Sequence, residues 1–270
     1  MKIIDAHIHF VPGEDYFDGI AVAAGHLNTE EHLREQFRLH DICHAVVMGN
    51  HDLEPGHRGY PDFVSYCVGL DGGMLAQTGP EDAAVQVEEH LRRKNCVGIK
   101  LYPGYCQTFV SDPVYEPFYQ LAEQYEKPVA IHTGATSSAR ALLKYSHPLT
   151  LDEVAVRHPR VQLVMCHFGN PWLCDAAAVL EKNRNISADL SGLLEGRVDV
   201  DGMFAQDQGY LDLLRAWLHY TDLSDRLMYG TDWPLVNVEE YIDFISRLLL
   251  DREMEPVFFG NANRIYRLGL

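Results

Sequence analysis

The feature of this sequence that most restricts its fold is a rhythm. Short apolar runs alternate with longer amphipathic stretches along the whole chain. The runs open with Ile3 and Ile4 and return in HAVVMGN, FVSYCVGL, CVGIKLYPG, PVAIHTG, VQLVMCHFGN, NISADLSG and RLMYGTDWP. Each is short, rich in apolar residues and bounded by turn-forming residues, which is how a buried strand reads. Between most of them lie helical patterns: TEEHLREQFRLHDI with Thr29 as N-cap, PEDAAVQVEEHLRRKN with Pro80 in its first turn, SDPVYEPFYQLAEQYEK capped by Ser111 or Asp112, then TLDEVAVRHP, PWLCDAAAVLEKN, GYLDLLRAWLHY and NVEEYIDFISRLLL. Strands separated by helices are parallel neighbours, because a parallel pair needs a crossover. Eight such units in 270 residues predict an α/β fold, a single (β/α)8 barrel over residues 1–270. The runner-up, an open doubly wound sheet, would want a glycine-rich phosphate fingerprint after an early strand, and none follows the first strand here. Two stretches read as loops: VPGEDYFDGIAVAAGH and the Asp- and Gly-containing segment after the seventh strand.

Charge narrows the partners. Lys and Arg number 22 against 39 Asp and Glu, a formal net charge of −17, which argues against nucleic acid or an anionic membrane surface. No apolar stretch approaches a membrane span, and Asp5 interrupts the N-terminal apolar residues too early for a signal peptide. The six cysteines form no CxxC pair. They read as reduced core residues of a cytoplasmic protein rather than as a thiolate metal site. The expected partner is a small-molecule substrate, and a homo-oligomer is compatible with the sequence.

The residues with chemical potential sit where strands end. In DAHIHF, period-two alternation puts Asp5, His7 and His9 on one face, with the two histidines about 6.6 Å apart at the backbone, close enough to lean onto one metal ion. Asp5 lies deeper and could hydrogen-bond a ligand histidine. VAIHTG ends in His132, LVMCHFG in His167, and LMYGTDWP in Asp232. In a barrel these strand ends meet at one mouth, where active sites lie. Lys100 stands at the end of the fourth strand. Arg58 and His57, in the loop after the second, read as solvated residues or substrate contacts. Trp172 and Trp233 read as packing residues or as walls of an apolar pocket.

DAHIHF, the strand-end histidines, GTDWP and the GNANRIYRL ending together resemble the amidohydrolase superfamily, in its branch of TIM-barrel metal-dependent hydrolases, lactonases and aminocarboxymuconate-semialdehyde-decarboxylase-like enzymes. The likeness spans nearly the whole chain. It implies that His7, His9 and His132 are metal ligands and that Asp232 is both a ligand and a proton carrier. It implies for His167 a catalytic role beside one metal, or a ligand role beside two. For Lys100 three readings stay open: a carbamylated bridge between two metals, a contact for a substrate carboxylate, or a snorkelling or salt-bridged lysine. The donor set suits one Zn2+, with Mn2+ or a second ion as alternatives. The implied activity is hydrolysis of a carboxamide, lactone or cyclic imide by a metal-activated water. The alternative is metal-dependent, non-oxidative decarboxylation of a small unsaturated or aromatic acid, a lyase reaction.

Overall fold

The computed structural model describes residues 1–49, 53, 60–70, 75, 78–206 and 208–270. The eight expected strands all form: β1 (Ile3–Ile8), β2 (Ile42–Met48), β3 (Val64–Leu70), β4 (Cys96–Leu101), β5 (Val129–Ile131), β6 (Leu163–Met165), β7 (Ile186–Asp189) and β8 (Leu227–Met228). They make one parallel sheet in sequence order. The sheet curls back on itself. Ala6 N donates to Tyr229 O at 2.9 Å, Asp232 N to His7 O at 2.8 Å, and His9 N to Trp233 O at 2.8 Å. The result is a nearly closed single (β/α)8 barrel.

Two apolar clusters build it. The larger lies between the outer strand faces and the surrounding helices, with Ile3, Ile8, Val47, Val68 and Ile131 among its strand members. The smaller fills the barrel interior with Ile4, Ala6, Val46, Met48, Cys67, Ala130, Val164 and Met228. Ala262, Ile265 and Tyr266 join that interior cluster, so the end of the chain plugs the barrel opposite the strands' C-terminal ends.

Among the described residues the α-helices of five residues or more are α1 (Asp15–Ala23), α2 (Glu30–Leu39), α3 (Pro80–Leu91), α4 (Glu116–Gln124), α5 (Thr150–Arg157), α6 (Leu173–Lys182), α7 (Val200–Gln206), α8 (Gln208–Thr221), α9 (Val238–Leu248), α10 (Asp251–Glu255) and α11 (Asn261–Ile265). Caps fall where the sequence put them. Thr29 Oγ1 accepts from His32 N at 3.2 Å, and Asp112, not Ser111, accepts from Val114 N at 3.0 Å. Helices α1 and α7 form where loops were expected. Helix α1 carries Gly19 in its middle and no side-chain cap, both of which weaken the local signal. Asn28 compensates from outside by donating to Asp18 Oδ1 and Val11 O, each at 2.8 Å. None of the six cysteines forms a disulfide, and Cys67, Cys96 and Cys166 are buried. Cys43 and Cys174 are exposed rather than core residues; the former donates to Ile3 O at 3.3 Å. No helix among the described residues is long and apolar enough to cross a membrane.

Candidate metal centre

Strand β1 does not keep strict alternation. Asp5 pairs with Ala45 and Ile8 with Val47, so one extra residue is inserted into β1 between them. Ile4 and Ala6 face the interior, whereas Ile3 and Ile8 face the helices. The bulge turns His7 and His9 toward the mouth and leaves Asp5 on another course. Asp5 does not reach a ligand imidazole. Its carboxyl accepts from the backbone of His7 (3.2 Å), the backbone of Thr231 (3.0 Å) and the Thr231 hydroxyl (2.6 Å), tying β1 to the segment that carries Asp232. Burial pushes its pKa up to about 7 against those hydrogen bonds.

The carboxylate that does hold an imidazole of the centre, that of His7, is Asp189, at the end of β7. Its Oδ2 lies 3.0 Å from His7 Nδ1. Its Oδ1 accepts from His167 N (2.9 Å), Ser191 N (3.2 Å) and Ser191 Oγ (2.5 Å). Burial disfavours its charge, but His7, His167 and Ser191 outweigh that and hold it well below the usual carboxylate range. Sequence reading passed over Asp189, although NISADLSG ends in an acid just as the other runs end in His or Asp. His167 follows β6 in left-handed backbone, φ +60°. Gly192 fits beside it because a Cβ there would lie 2.7 Å from His167 Nδ1.

These hydrogen bonds settle tautomers. Asp189 is an acceptor, so His7 Nδ1 carries a hydrogen and Nε2 is the nitrogen turned to Asp232, where it holds either a proton or a cation. The Ser191 hydroxyl donates to Asp189, so at 2.9 Å it accepts from His167 Nδ1, leaving a lone pair on His167 Nε2. His132 Nε2 lies 3.0 Å from Ala135 O and donates to it, leaving a lone pair on His132 Nδ1, 3.1 Å from His167 Nε2. Asp232 Oδ1 lies 3.2 Å from His7 Nε2 and 3.3 Å from His9 Nε2. His7 Nε2 and Asp232 Oδ1 are buried with no hydrogen-bond partner among the described residues.

His132, His167 and Asp232 thus turn lone pairs toward one another and toward His7 Nε2. That arrangement repels itself unless a cation sits among them. Separations of 3.2 and 3.3 Å also match the edge of a tetrahedron, about 3.3 Å, around an ion about 2.0–2.1 Å from each ligand. The residues fit a metal. His7, His167 and Asp232 bring ligand atoms within 4.8 Å of one another. His9 joins through Asp232, and His132 stands beside His167, outside that tightest group.

The charges agree. Burial opposes ionisation of Asp232, yet His7, His9 and His167 hold it well below the ordinary carboxylate value. Burial and the Lys100 charge oppose a proton on His7, but the Asp189 and Asp232 carboxylates raise its pKa well above normal. Burial lowers His132 well below its normal value and takes His167 down to about 4.

A cavity of about 490 Å³ opens over this centre. Tyr16, Phe17, Tyr102 and Tyr105 wall it. Lys100 lines it and is fully buried, with Nζ 2.9 Å from Cys166 Sγ; no carboxylate pairs with it among the described residues, so the salt-bridged reading falls. The tryptophans pack elsewhere: Trp233 against His26, with ring centroids 4.6 Å apart, and Trp172 against His147 at 4.7 Å. His57 and Arg58 lie outside the described residues.

A parallel barrel that gathers imidazoles and a carboxylate at its mouth is the architecture of a metal-dependent enzyme. The amidohydrolase family profile matches residues 4–268, and the chain belongs to that family. No curated protein matches it. Among solved structures it is similar to an uncharacterized TIM-barrel protein from Bordetella bronchiseptica, at 20% identity over 99% of each chain and a TM-score of 0.74. It is similar to a probable 2-pyrone-4,6-dicarboxylic acid hydrolase from Acinetobacter baumannii, solved with citric acid, at 16% identity over 99% of this chain and 100% of that one, TM-score 0.66. It is also similar to a dihydroxybenzoic acid decarboxylase from Polaromonas sp. JS666, solved with manganese and the inhibitor 2-nitroresorcinol, at 15% identity over 100% of this chain and 98% of that one, TM-score 0.66.

Proposed function

We propose that the protein is a metal-dependent, non-oxidative decarboxylase of a small aromatic or unsaturated carboxylic acid. The observation that carries this reading is the cavity: aromatic rings wall it, and its floor is the set of converging lone pairs. The likeness to a manganese-containing decarboxylase supports it. His7, His9, His132 and Asp232 would hold one divalent ion, Zn2+ by donor set or Mn2+ by that likeness. When bound, the ion supplies positive charge that fixes and polarises an oxygen of the substrate.

The chain's own residues do the rest. Tyr16, Phe17, Tyr102 and Tyr105 sandwich an aromatic ring and exclude water. Asp189 holds the His7 ring and the His167 backbone in place. His167 keeps its Nδ1 hydrogen on Ser191, so Nε2 is the atom that moves the proton. Burial lowers the affinity of that nitrogen for a proton, so it would relay a proton from solvent water to the substrate carbon rather than hold it. As the C–H bond forms, the bond to the carboxylate breaks. Its electron pair returns to the substrate's unsaturated system, and CO2 leaves.

A second reading, hydrolysis of a lactone, carboxamide or cyclic imide, is favoured by the likeness to the probable pyrone hydrolase. There Asp232 would take the proton from water and pass it to the leaving group. One experiment separates the two. Metal-replete protein is given carboxyl-13C hydroxybenzoates and, separately, lactones, in deuterated and 18O-labelled water. Release of 13CO2 with deuterium at the vacated carbon supports the decarboxylase. Water oxygen in the product, without CO2, overturns it in favour of hydrolysis.

A further inference from the structure

Besides the groups of the metal centre, two polar groups in the cavity lack a competent partner among the described residues. Lys100 is the only lysine or arginine among the described lining residues. Its side chain is fully buried, its hydrogen-bond partner is the Cys166 thiol, and the Tyr102 ring lies 5.2 Å from Nζ. A thiol is a weak acceptor, and a buried ammonium without an anion is a costly arrangement. The missing partner is an anionic oxygen.

The second group is Asn170, whose Oδ1 is buried with no hydrogen-bond partner among the described residues and whose side chain lines the same cavity. The Asn170 side chain hydrogen-bonds Tyr210. The Tyr210 hydroxyl donates to Leu193 O at 3.1 Å, so toward Asn170 it accepts, which uses the amide nitrogen and leaves Oδ1 free. The residue is held firmly. Its carbonyl accepts from Ala135 N at 2.9 Å, and it crowds Gly134, where φ is +92° and a Cβ would lie 2.3 Å from that oxygen.

An unpaired cation and an unpaired acceptor in one cavity call for a ligand with an anionic oxygen and an O–H hydrogen. We propose that Lys100 and Asn170 select the substrate: the Lys100 ammonium binds a carboxylate, and Asn170 Oδ1 accepts from a ring hydroxyl, so hydroxylated carboxylic acids are preferred. This deepens the reading of the protein as an enzyme acting on small carboxylic acids. Its test is binding, which does not depend on turnover.

Titration calorimetry on metal-replete protein would compare benzoate, benzamide and the monohydroxybenzoates. A charge-assisted hydrogen bond predicts benzoate binding roughly 30-fold tighter than benzamide, with Lys100→Met erasing the difference. The best hydroxybenzoate should bind roughly 5-fold tighter than benzoate, with Asn170→Leu erasing that gain and leaving benzoate itself unchanged. Equal wild-type affinity for benzoate and benzamide overturns the proposal without any variant. So does a Lys100→Met protein that weakens both ligands alike, or a carbamate carbon signal from Lys100 after equilibration with 13C-bicarbonate. If the binding pattern holds while the tightest ligand yields no CO2, the decarboxylase reading fails and this assignment stands.

Discussion

Asp189 accepts four hydrogen bonds and so decides which nitrogens of His7 and His167 turn their lone pairs to the centre. Replacing it by asparagine puts an amide opposite His7 Nδ1, which favours the other tautomer and places a hydrogen on the ligand nitrogen. Metal affinity should fall roughly 10–100-fold in Asp189→Asn, as measured by competition with a chromogenic chelator. An unchanged affinity would remove Asp189 from this role. The sequence did contain a signal for it, because the rule that found His132, His167 and Asp232, a polar residue at the end of an apolar run, applies equally to NISADLSG. The mistaken role for Asp5 had no such remedy. Period-two counting is sound only in an unbroken strand, and nothing in DAHIHF announces the extra residue that the β1–β2 register contains. Gly192 belongs to the same neighbourhood. At φ +60°, with His167 Nδ1 where a Cβ would go, Gly192→Ala should lower kcat at least roughly tenfold by displacing the His167 ring, with a stability loss of about 1–2 kcal/mol in denaturant titrations.

Among the elements, the helices unread in the sequence are those that other elements stabilise. Helix α1 is followed by Gly25 and His26, and His26 is nearly inaccessible to solvent. His26 Nε2 accepts from Val238 N at 3.2 Å, at the start of α9, while Asn237 there accepts from Glu240 N and donates to Ala24 O. His26 therefore joins α1 to α9 only in its neutral form. Burial, then the neighbouring His32, Arg197 and His40, take its pKa down to about 4 from the ordinary 6.5. The sign follows. Between those values the unfolded chain binds a proton that the folded one refuses, so stability is full above pH 6.5 and falls as the pH drops toward 4. His26→Gln keeps an acceptor and cannot titrate. In urea titrations across that range its stability should depend less on pH than the wild type's, and an identical dependence would contradict the assignment. The strands, by contrast, were legible because burial on both faces writes a continuous apolar run, and helices such as α2, α3 and α9 were legible through their caps and amphipathic faces. Helix α1 has only Ala21 buried, too little apolar surface to write a periodic pattern.

For the whole molecule, the centre is also a clasp. His7 and His9 belong to β1 and its continuation, and Asp232 follows β8, the two ends of the sheet whose meeting closes the barrel. In the chain alone that seam rests on a few backbone hydrogen bonds and on the Asp5 carboxyl reaching Thr231. Around it, facing lone pairs and a net charge of −17 both favour a bound cation. An ion that binds only the folded state adds about 2.7 kcal/mol at a free concentration a hundred times its dissociation constant. For a domain of this size about 1 kcal/mol moves the midpoint by about 2 °C, so stripping the metal should lower Tm by about 5 °C. Calorimetry before and after dialysis against a chelator reads this directly, with restoration on adding back Zn2+ or Mn2+. Because the interior cluster and the plug of Ala262, Ile265 and Tyr266 do not involve the centre, far-ultraviolet circular dichroism should be unchanged in the stripped protein. Loss of the helical signal would mean that the ion is needed to form the barrel. An unmoved Tm would mean that the seam holds no ion at all.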